Sequence, residues 1–568
     1  MLQTTTKEKN YLLVIGFIFF FYTAISFAIY KERTLAGDIN NHILSSEKFG
    51  VPSSLKLHGI NPFYKGQVQT GWDGQFYYYM SNDLFGRSDI PPHIDSPSYR
   101  YQRIGLSLYA AALTKLAGRD WVSPSFFFYS YFILIFIATI VGALYLNKIG
   151  VFPYWILIWS ISVGTQITLF NALPDAAADA FLILSIALFS SGKNKLSIIP
   201  LTMSVLCREV YIVFPVFLIS FLIYQEITAN YQNNEKYTKD VFRRILKLKK
   251  VYLLTLPILI WLCWYLYVVI HFGAKPTDQA SGVLGFPLSS WYEFFSSGIT
   301  GHHKVVGTGI FAYLEAFGLI LFLGIILSTV FLVLKSKIFE LCNIELKALA
   351  LTATFFSFLY LCFGPTVMMH YSGYLKAIGP FFLVLPILVN LSKIQKCYKK
   401  YFNIFLILAL VGTSFYNFKA KVLPYNSYDI FTNISKISNT DPIGCFTNFS
   451  AVVRVKKYEI IGSNSFFEIF GGGKLLVITL DLKNLSDRPF ISSTNLGSVF
   501  MSYQWVDKDG KVVMDGIRSA IIGKIDPGQA QEIKIISKIP NSSALFKLSP
   551  VQEGCSWFYL KDQLTVLN

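Results

Sequence analysis

Residues 71–79 read Gly-Trp-Asp-Gly-Gln-Phe-Tyr-Tyr-Tyr, and residues 95–104 read Asp-Ser-Pro-Ser-Tyr-Arg-Tyr-Gln-Arg-Ile. No other part of the chain groups chemically capable side chains so densely. Asp73, set between an aromatic residue and a glycine, can accept a proton from a sugar hydroxyl. The rings beside it offer flat apolar faces for a sugar, or an anchor at a membrane interface. Trp72, Gln75, Tyr78, Asp95 and Tyr99 are therefore candidate substrate contacts. Arg100 and Arg103 stand three apart near a helix start, so they share one side and can clasp a phosphate. The same residues also fit an interfacial aromatic belt with arginines that snorkel to water.

Farther along, Asn171-Ala172-Leu173-Pro174-Asp175 opens a helix. Pro174 suits its first turn, and the positive helix end favours an ionised Asp175. Asp175 and Asp179 are four apart and lie on one helical face. Carboxylates at membrane depth are costly, so this pair fits a polar cavity or metal as well as helix packing or capping. Arg208 and Glu209 put a cation beside an anion; helical neighbours point about 100° apart, so one can simply brace the other. A third run, His370-Tyr371-Ser372-Gly373-Tyr374-Leu375-Lys376, precedes a late apolar segment.

Metal chemistry has weaker support. His302 and His303 are adjacent, an arrangement rarely seen in co-ligands, and no other residues have metal-ligand spacing. The first loop holds no clear Asp-X-Asp pair, so use of a divalent ion, Mg or Mn, stays open. Walker, dinucleotide-binding and nucleophile-elbow motifs are absent, which argues against nucleotide-driven transport and soluble-type cofactor chemistry.

The elements that position these residues are membrane helices. Of 568 residues 53% are hydrophobic and only 15% charged, with a mean hydropathy of +0.47; soluble domains carry roughly a quarter charged residues. Residues 11–30 form an apolar run long enough to cross about 30 Å of hydrocarbon, without a signal-peptide cleavage pattern. The net charge of +17 does not imply nucleic acid. Its lysines and arginines crowd short loops, at 236–250, 335–337 and 393–400, the pattern of loops that stay cytoplasmic. Placing those loops inside puts a long segment, 31–103, outside, followed by a surface helix at 104–117. Spans follow at 122–146, 152–170, 174–191, 251–271, 309–334, 348–363, 375–391 and 402–418. Residues 196–224 read as a hairpin of half-spans with Arg208 and Glu209 near its outer apex. The expectation is a polytopic helical domain of about ten spans, residues 1–420, with all seven histidines on the outer side.

After residue 420 the pattern changes. Alternating segments at 474–482, 499–506, 532–539 and 545–548, separated by Asp-Gly and Pro-Gly turns, predict an all-β sandwich of about 120 residues within 421–568. Cys445 and Cys555 both lie there and are the candidate disulfide pair; the other five cysteines read as buried, inert thiols. Trp505 and Trp557 fit a β core or a sugar-stacking surface.

The stretches WDGQFYYY and DSPSYRYQRIG resemble the first-outer-loop signature of the GT-C superfamily of membrane glycosyltransferases, most closely a bacterial group implicated in cell-surface glycopolymer formation. The span order puts the β domain on the extracytoplasmic side, and the resemblance implies a GT-C-like fold in the bacterial inner membrane. It implies transfer of a sugar from a polyprenyl-phosphate donor to a glycan or glycolipid acceptor, inverting, with Asp73 as base. Arg208-Glu209 resembles a basic–acidic pair that the superfamily places on a middle helix. His370 to Lys376 resembles a carrier-phosphate site, with Lys376 where relatives often have Arg. The C-terminal domain resembles a sandwich module attached to bacterial polysaccharide-assembly proteins. Expected partners are the lipid-linked donor, the acceptor and membrane lipids, and no nucleic acid. Competing expectations are a lipid-linked glycan transporter or flippase, a polysaccharide ligase or polymerase with a pyrophosphate-linked donor, and a catalytically dead scaffold.

Overall fold

The computed structural model describes residues 6–34, 42–60, 62, 71–232, 249–279, 282–296, 310–335, 343–368, 371–391, 395–422, 444–461, 475–492, 497–516, 518–521, 524–539 and 545–557. The chain divides into two compact units. One comprises residues 1–29, 38–43 and 73–417; the other comprises 30–37, 44–72 and 418–568.

The first unit is helical. Seven of its described helices are long and apolar enough to cross a membrane: Glu8–Phe27, Pro124–Lys148, Glu209–Thr228, Lys249–Phe272, Phe317–Lys335, Ile344–Leu361 and Gly373–Leu391. Counting a bent pair as one span makes eight. The difference from ten lies in particular segments. Residues 152–170 do not run straight: a 3-10 turn at Pro153–Trp155 leads to a short helix, Ile156–Ser160. Ser162 then caps a new helix, Val163–Phe170, by accepting from the Thr165 amide at 3.3 Å. That helix and Asp175–Ser190 meet at 116° across a four-residue break, so they make one broken element in place of two full spans. Residues 196–224 give the shorter helix Asn194–Cys207, an extended Arg208, a 3-10 turn at Glu209–Ile212 and the helix Val213–Gln232. One span replaces the two expected half-spans there, although the break falls where the Arg208-Glu209 pair suggested. The helix Lys396–Val422 forms but is not among the seven.

The segment expected as a helix at 104–117 is helical over Gly105–Leu116, with Leu106, Ala110 and Thr114 buried on one face. Before it in the chain, His42 is buried with its ring edge-on to Phe128 at 4.8 Å, and neither ring nitrogen has a hydrogen-bond partner among the described residues. Burial lowers its pKa to about 3. An unfolded chain takes up this proton near pH 6.5, so in the window between about 6.5 and 3 it binds more protons than the folded chain. Stability should therefore fall as the pH drops through that window. Thermal melts of His42→Phe should show a flatter acid limb; a limb of unchanged slope would assign the acid sensitivity to other groups.

The second unit carries small β-sheets. Strands Ala451–Ile461, Leu475–Asn484 and Ala530–Lys538 form an antiparallel three-stranded sheet in that order. A five-stranded sheet is built around Val499–Val506, paired with Leu545–Gln552 on one side and Val512–Asp515 on the other. A single buried cluster takes Ile478 and Ile535 from the first sheet and Met501 and Phe546 from the second. Trp505 belongs to that core, its indole donating to Ser537 Oγ at 2.7 Å, whereas Trp557 is half-buried under the Arg518 guanidinium.

Cys445 and Cys555 are disulfide-bonded, with Cα atoms 5.7 Å apart and a separation of 110 positions in sequence. Closing so long a loop restricts the unfolded chain. Reduction, or Cys445→Ser, should cost about 4–5 kcal/mol, read as a lower denaturation midpoint of the second unit; a midpoint that stays put would refute this. Among the other cysteines Cys207 is buried, but Cys263 and Cys397 are exposed on their helices, so the reading of inert buried thiols holds only in part. Cys342, His302 and His303 lie outside the described residues.

Candidate active site

Glycines bring the chemical motifs together. A Cβ on Gly74 would collide with the carbonyl oxygen of Asn171, so only glycine lets the loop carrying Asp73 seat against the break at 171–174. That break is itself tightly held. Ala172 takes a left-handed φ of +55°, and the Tyr131 hydroxyl donates to the Leu173 carbonyl at 2.7 Å while accepting from the Ala177 amide. Gly105 lies where a Cβ would come within 2.5 Å of the Cys207 amide, which sets Arg103 beside Arg208 and Glu209. Gly379, three residues after Lys376, leaves room for the Asp179 carboxylate.

The result is a cavity of about 360 Å³ within the helical unit. Asp73, Asp95, Tyr99, Arg100, Arg103, Asp175, Arg208 and Lys376, eight of the candidates, line it. Its charges are mostly paired. Arg100 grips both Asp95 oxygens, through Nε at 2.9 Å and Nη2 at 2.8 Å, and gives Nη1 to Asp73 Oδ2 at 3.0 Å. Arg103 grips Glu209 in the same two-pronged way, at 2.9 and 2.6 Å, and donates to the Tyr99 hydroxyl at 2.9 Å. Arg208 pairs with Asp175 at 2.7 Å. The expected phosphate clasp by Arg100 and Arg103 is thus not what their side chains form here, because carboxylates already occupy both forks. Lys376 has no ion pair among the described residues.

Asp73 is the open member. Its side chain is 48% exposed and lines the cavity, and among the described residues only Arg100 bonds its carboxylate, through Oδ2, so Oδ1 has no protein partner there. Burial works against its charge, but Arg100, Lys376 and Arg103 outweigh that effect and hold its pKa below the ordinary carboxylate value. Burial likewise opposes the charge on Arg100 and Arg103, and their carboxylate partners raise both well above the usual arginine range. The arrangement can therefore present an ionised proton acceptor and an unpaired ammonium to one bound molecule.

Other candidates fall elsewhere. Gln75 and Tyr78 are fully buried, the latter edge-on to Phe127; they follow Asp73 on the Gly74–Ser81 helix, whose residues are all buried. Asp179 is 3% exposed, accepting from the Trp159 indole at 3.1 Å and from the Tyr211 hydroxyl. One turn beyond Asp175, it is buried among helices instead of lining the cavity. Glu209 contributes through Arg103. Trp72 is half-buried and belongs to the second unit, and His370 lies outside the described residues.

The sequence reading missed the far wall, formed by Val283, Phe363, Thr366 and Val367. Two segments meet there, with the Gly364 amide donating to Val283 at 2.8 Å and the Gly285 amide to Cys362 at 2.8 Å. The glycines at 282, 285 and 364 were the available signal. No group of three or more His, Cys, Asp or Glu among the described residues could hold a metal ion. No family model, no curated protein and no solved structure matches this chain.

Proposed function

We propose that this membrane protein is a GT-C-like glycosyltransferase that moves a sugar from a polyprenyl-phosphate carrier to a hydroxyl of a glycan or glycolipid acceptor. One observation carries the reading: the open, ionised Asp73 carboxylate shares a cavity with the unpaired Lys376 ammonium. A transferase needs a base for the attacking hydroxyl and a cation for the departing phosphate, and these two groups meet both needs.

In this mechanism the acceptor oxygen attacks the anomeric carbon and the bond from that carbon to the phosphate oxygen breaks, inverting the centre. The acceptor proton passes to Asp73 Oδ1. The electron pair of the broken bond stays on the phosphate, where Lys376 stabilises the growing charge. The three arginines, each tied to a carboxylate, fix the walls. The reaction is placed on the extracytoplasmic face of a bacterial inner membrane, with the C-terminal sheets as a sandwich on that side, where oxidation of Cys445 and Cys555 is possible.

The test is sugar transfer from labelled polyprenyl-phosphate sugars in proteoliposomes. Lys376→Met should lower turnover about 10²–10³-fold, the range for removing a preorganised charge donor. Acceptor-independent movement of intact lipid-linked sugar, with no transfer from any donor, would support a transporter instead.

A further inference from the structure

The cavity holds a cation of its own where an acidic sugar-transfer site could take a metal. Asp73 and Asp95 are 22 residues apart in sequence, yet both converge on the Arg100 guanidinium. Its Nη1 reaches Asp73 Oδ2 at 3.0 Å, and its Nε and Nη2 reach the two Asp95 oxygens at 2.9 and 2.8 Å. A magnesium ion bridging these carboxylates would need their oxygens about 2.0–2.1 Å from one point, and the guanidinium nitrogens occupy the space between them. Nor is the guanidinium free to swing away. Its carbon sits 5.1 Å from the Phe76 ring centre, 5.4 Å from Tyr99 and 6.0 Å from Tyr77, and the side chain is only 9% exposed.

Charge points the same way. Arg103 with Glu209 and Arg208 with Asp175 each sum to zero, and Arg100 with Lys376 balances Asp73 with Asp95. A divalent cation added to this set would face a resident positive charge and no surplus of carboxylate. The remaining acidic group near the site, Asp175, already holds Arg208. The donor set therefore does not fit a metal.

We infer that Arg100 is a built-in cation that orients Asp73 and excludes a divalent metal from the site, so that proton transfer to Asp73 proceeds without one. Arg100 is a positioning residue: it fixes Oδ2 of Asp73 and leaves Oδ1 to the acceptor. The inference deepens the transferase reading, but its physical content, which cation the two aspartates hold, can be measured without turnover.

The experiment is a Mn(II) titration of the purified full-length chain in nanodiscs, followed by electron paramagnetic resonance. Wild type should bind no Mn(II) at the cavity up to about 1 mM, the weak end of carboxylate sites. Arg100→Met, which keeps an apolar chain against the same rings, should gain a bound Mn(II) that Arg100→Met/Asp95→Asn loses. Arg100→Gln is the second neutral variant should the first not fold, and a melting curve reports folding for both. A mere loss of structure would not create a metal site. Wild-type binding of Mn(II) that disappears in Asp73→Asn/Asp95→Asn overturns the inference, whether or not the chain transfers sugar. Folded neutral variants that bind no Mn(II) overturn it as well. In the transfer assay, chelator should leave wild-type turnover unchanged; inhibition reversed by Mg(II) would refute metal independence while upholding the transferase.

Discussion

Asp73→Asn should lower sugar transfer about 10²–10⁴-fold, the contribution of a positioned general base, while the chain still folds. Asparagine keeps the shape and can still accept from Arg100 Nη1 through its amide oxygen, but it cannot take the acceptor proton. The loss should appear in kcat more than in KM, because the proton moves only as the acceptor attacks. A pH series sharpens the assignment. Arg100, Lys376 and Arg103 hold the Asp73 pKa below the ordinary carboxylate value against the opposing effect of burial, so Asp73 stays deprotonated as the pH falls. The acid limb of kcat/KM should accordingly lie below the usual carboxylate range. Full activity in Asp73→Asn, or an acid limb near neutrality, would assign the base elsewhere.

The second large effect concerns stability. Arg103 and Glu209 are 106 residues apart in sequence and joined by two hydrogen bonds, with side chains only 9% and 23% exposed. Removing one partner strands a charge in a poorly solvated place, so Arg103→Met or Glu209→Leu alone should cost about 3–5 kcal/mol. The double variant leaves no unpaired charge and should recover most of that loss. A double-mutant cycle on thermal or denaturant midpoints measures the coupling directly. If the double variant loses the sum of the two single losses, the pair is not an interacting unit. The same cycle read in the transfer assay separates structure from chemistry: a stable double variant that remains inactive would show that Arg103 also contributes through Tyr99, whose hydroxyl it holds.

Local patterns in the chain survived well where they were strong. The strand Val499–Val506 matches its alternating segment residue for residue, and the turns at Gly510 and Gly528 take the left-handed φ of +81° that favours glycine there. Ala451–Ile461 was missed. It is an edge strand whose Arg454, Lys456 and Tyr458 are exposed, and such a face reads as a polar loop when no partner strand is known. Lys456 in fact reaches Asp481 and Glu532 across neighbouring strands, at 2.9 and 3.0 Å. Among the helices, hydropathy found the apolar segments but not their breaks. Pro153, Ser162 and the left-handed Ala172 end or bend helices that composition alone would carry through.

The sequence by itself determined that this is a membrane protein with a β-rich C-terminal part, and that Asp73, the arginines near residue 100, Arg208-Glu209 and Lys376 are its chemically capable residues. Those properties follow from composition, periodicity and near-neighbour spacing, which a chain carries wherever it folds. Only the tertiary structure decided which candidates share a cavity and which charges cancel. Gly74 against Asn171 and Gly105 against Cys207 join segments about a hundred residues apart, and no local pattern encodes such approaches. The same physics divided Asp175 from Asp179. Both lie on one helical face, but the 116° bend leaves Asp175 at the cavity with Arg208, while one further turn buries Asp179 against Trp159 and Tyr211. Helical spacing fixes which way a side chain points, whereas the elements packed against it determine what it meets.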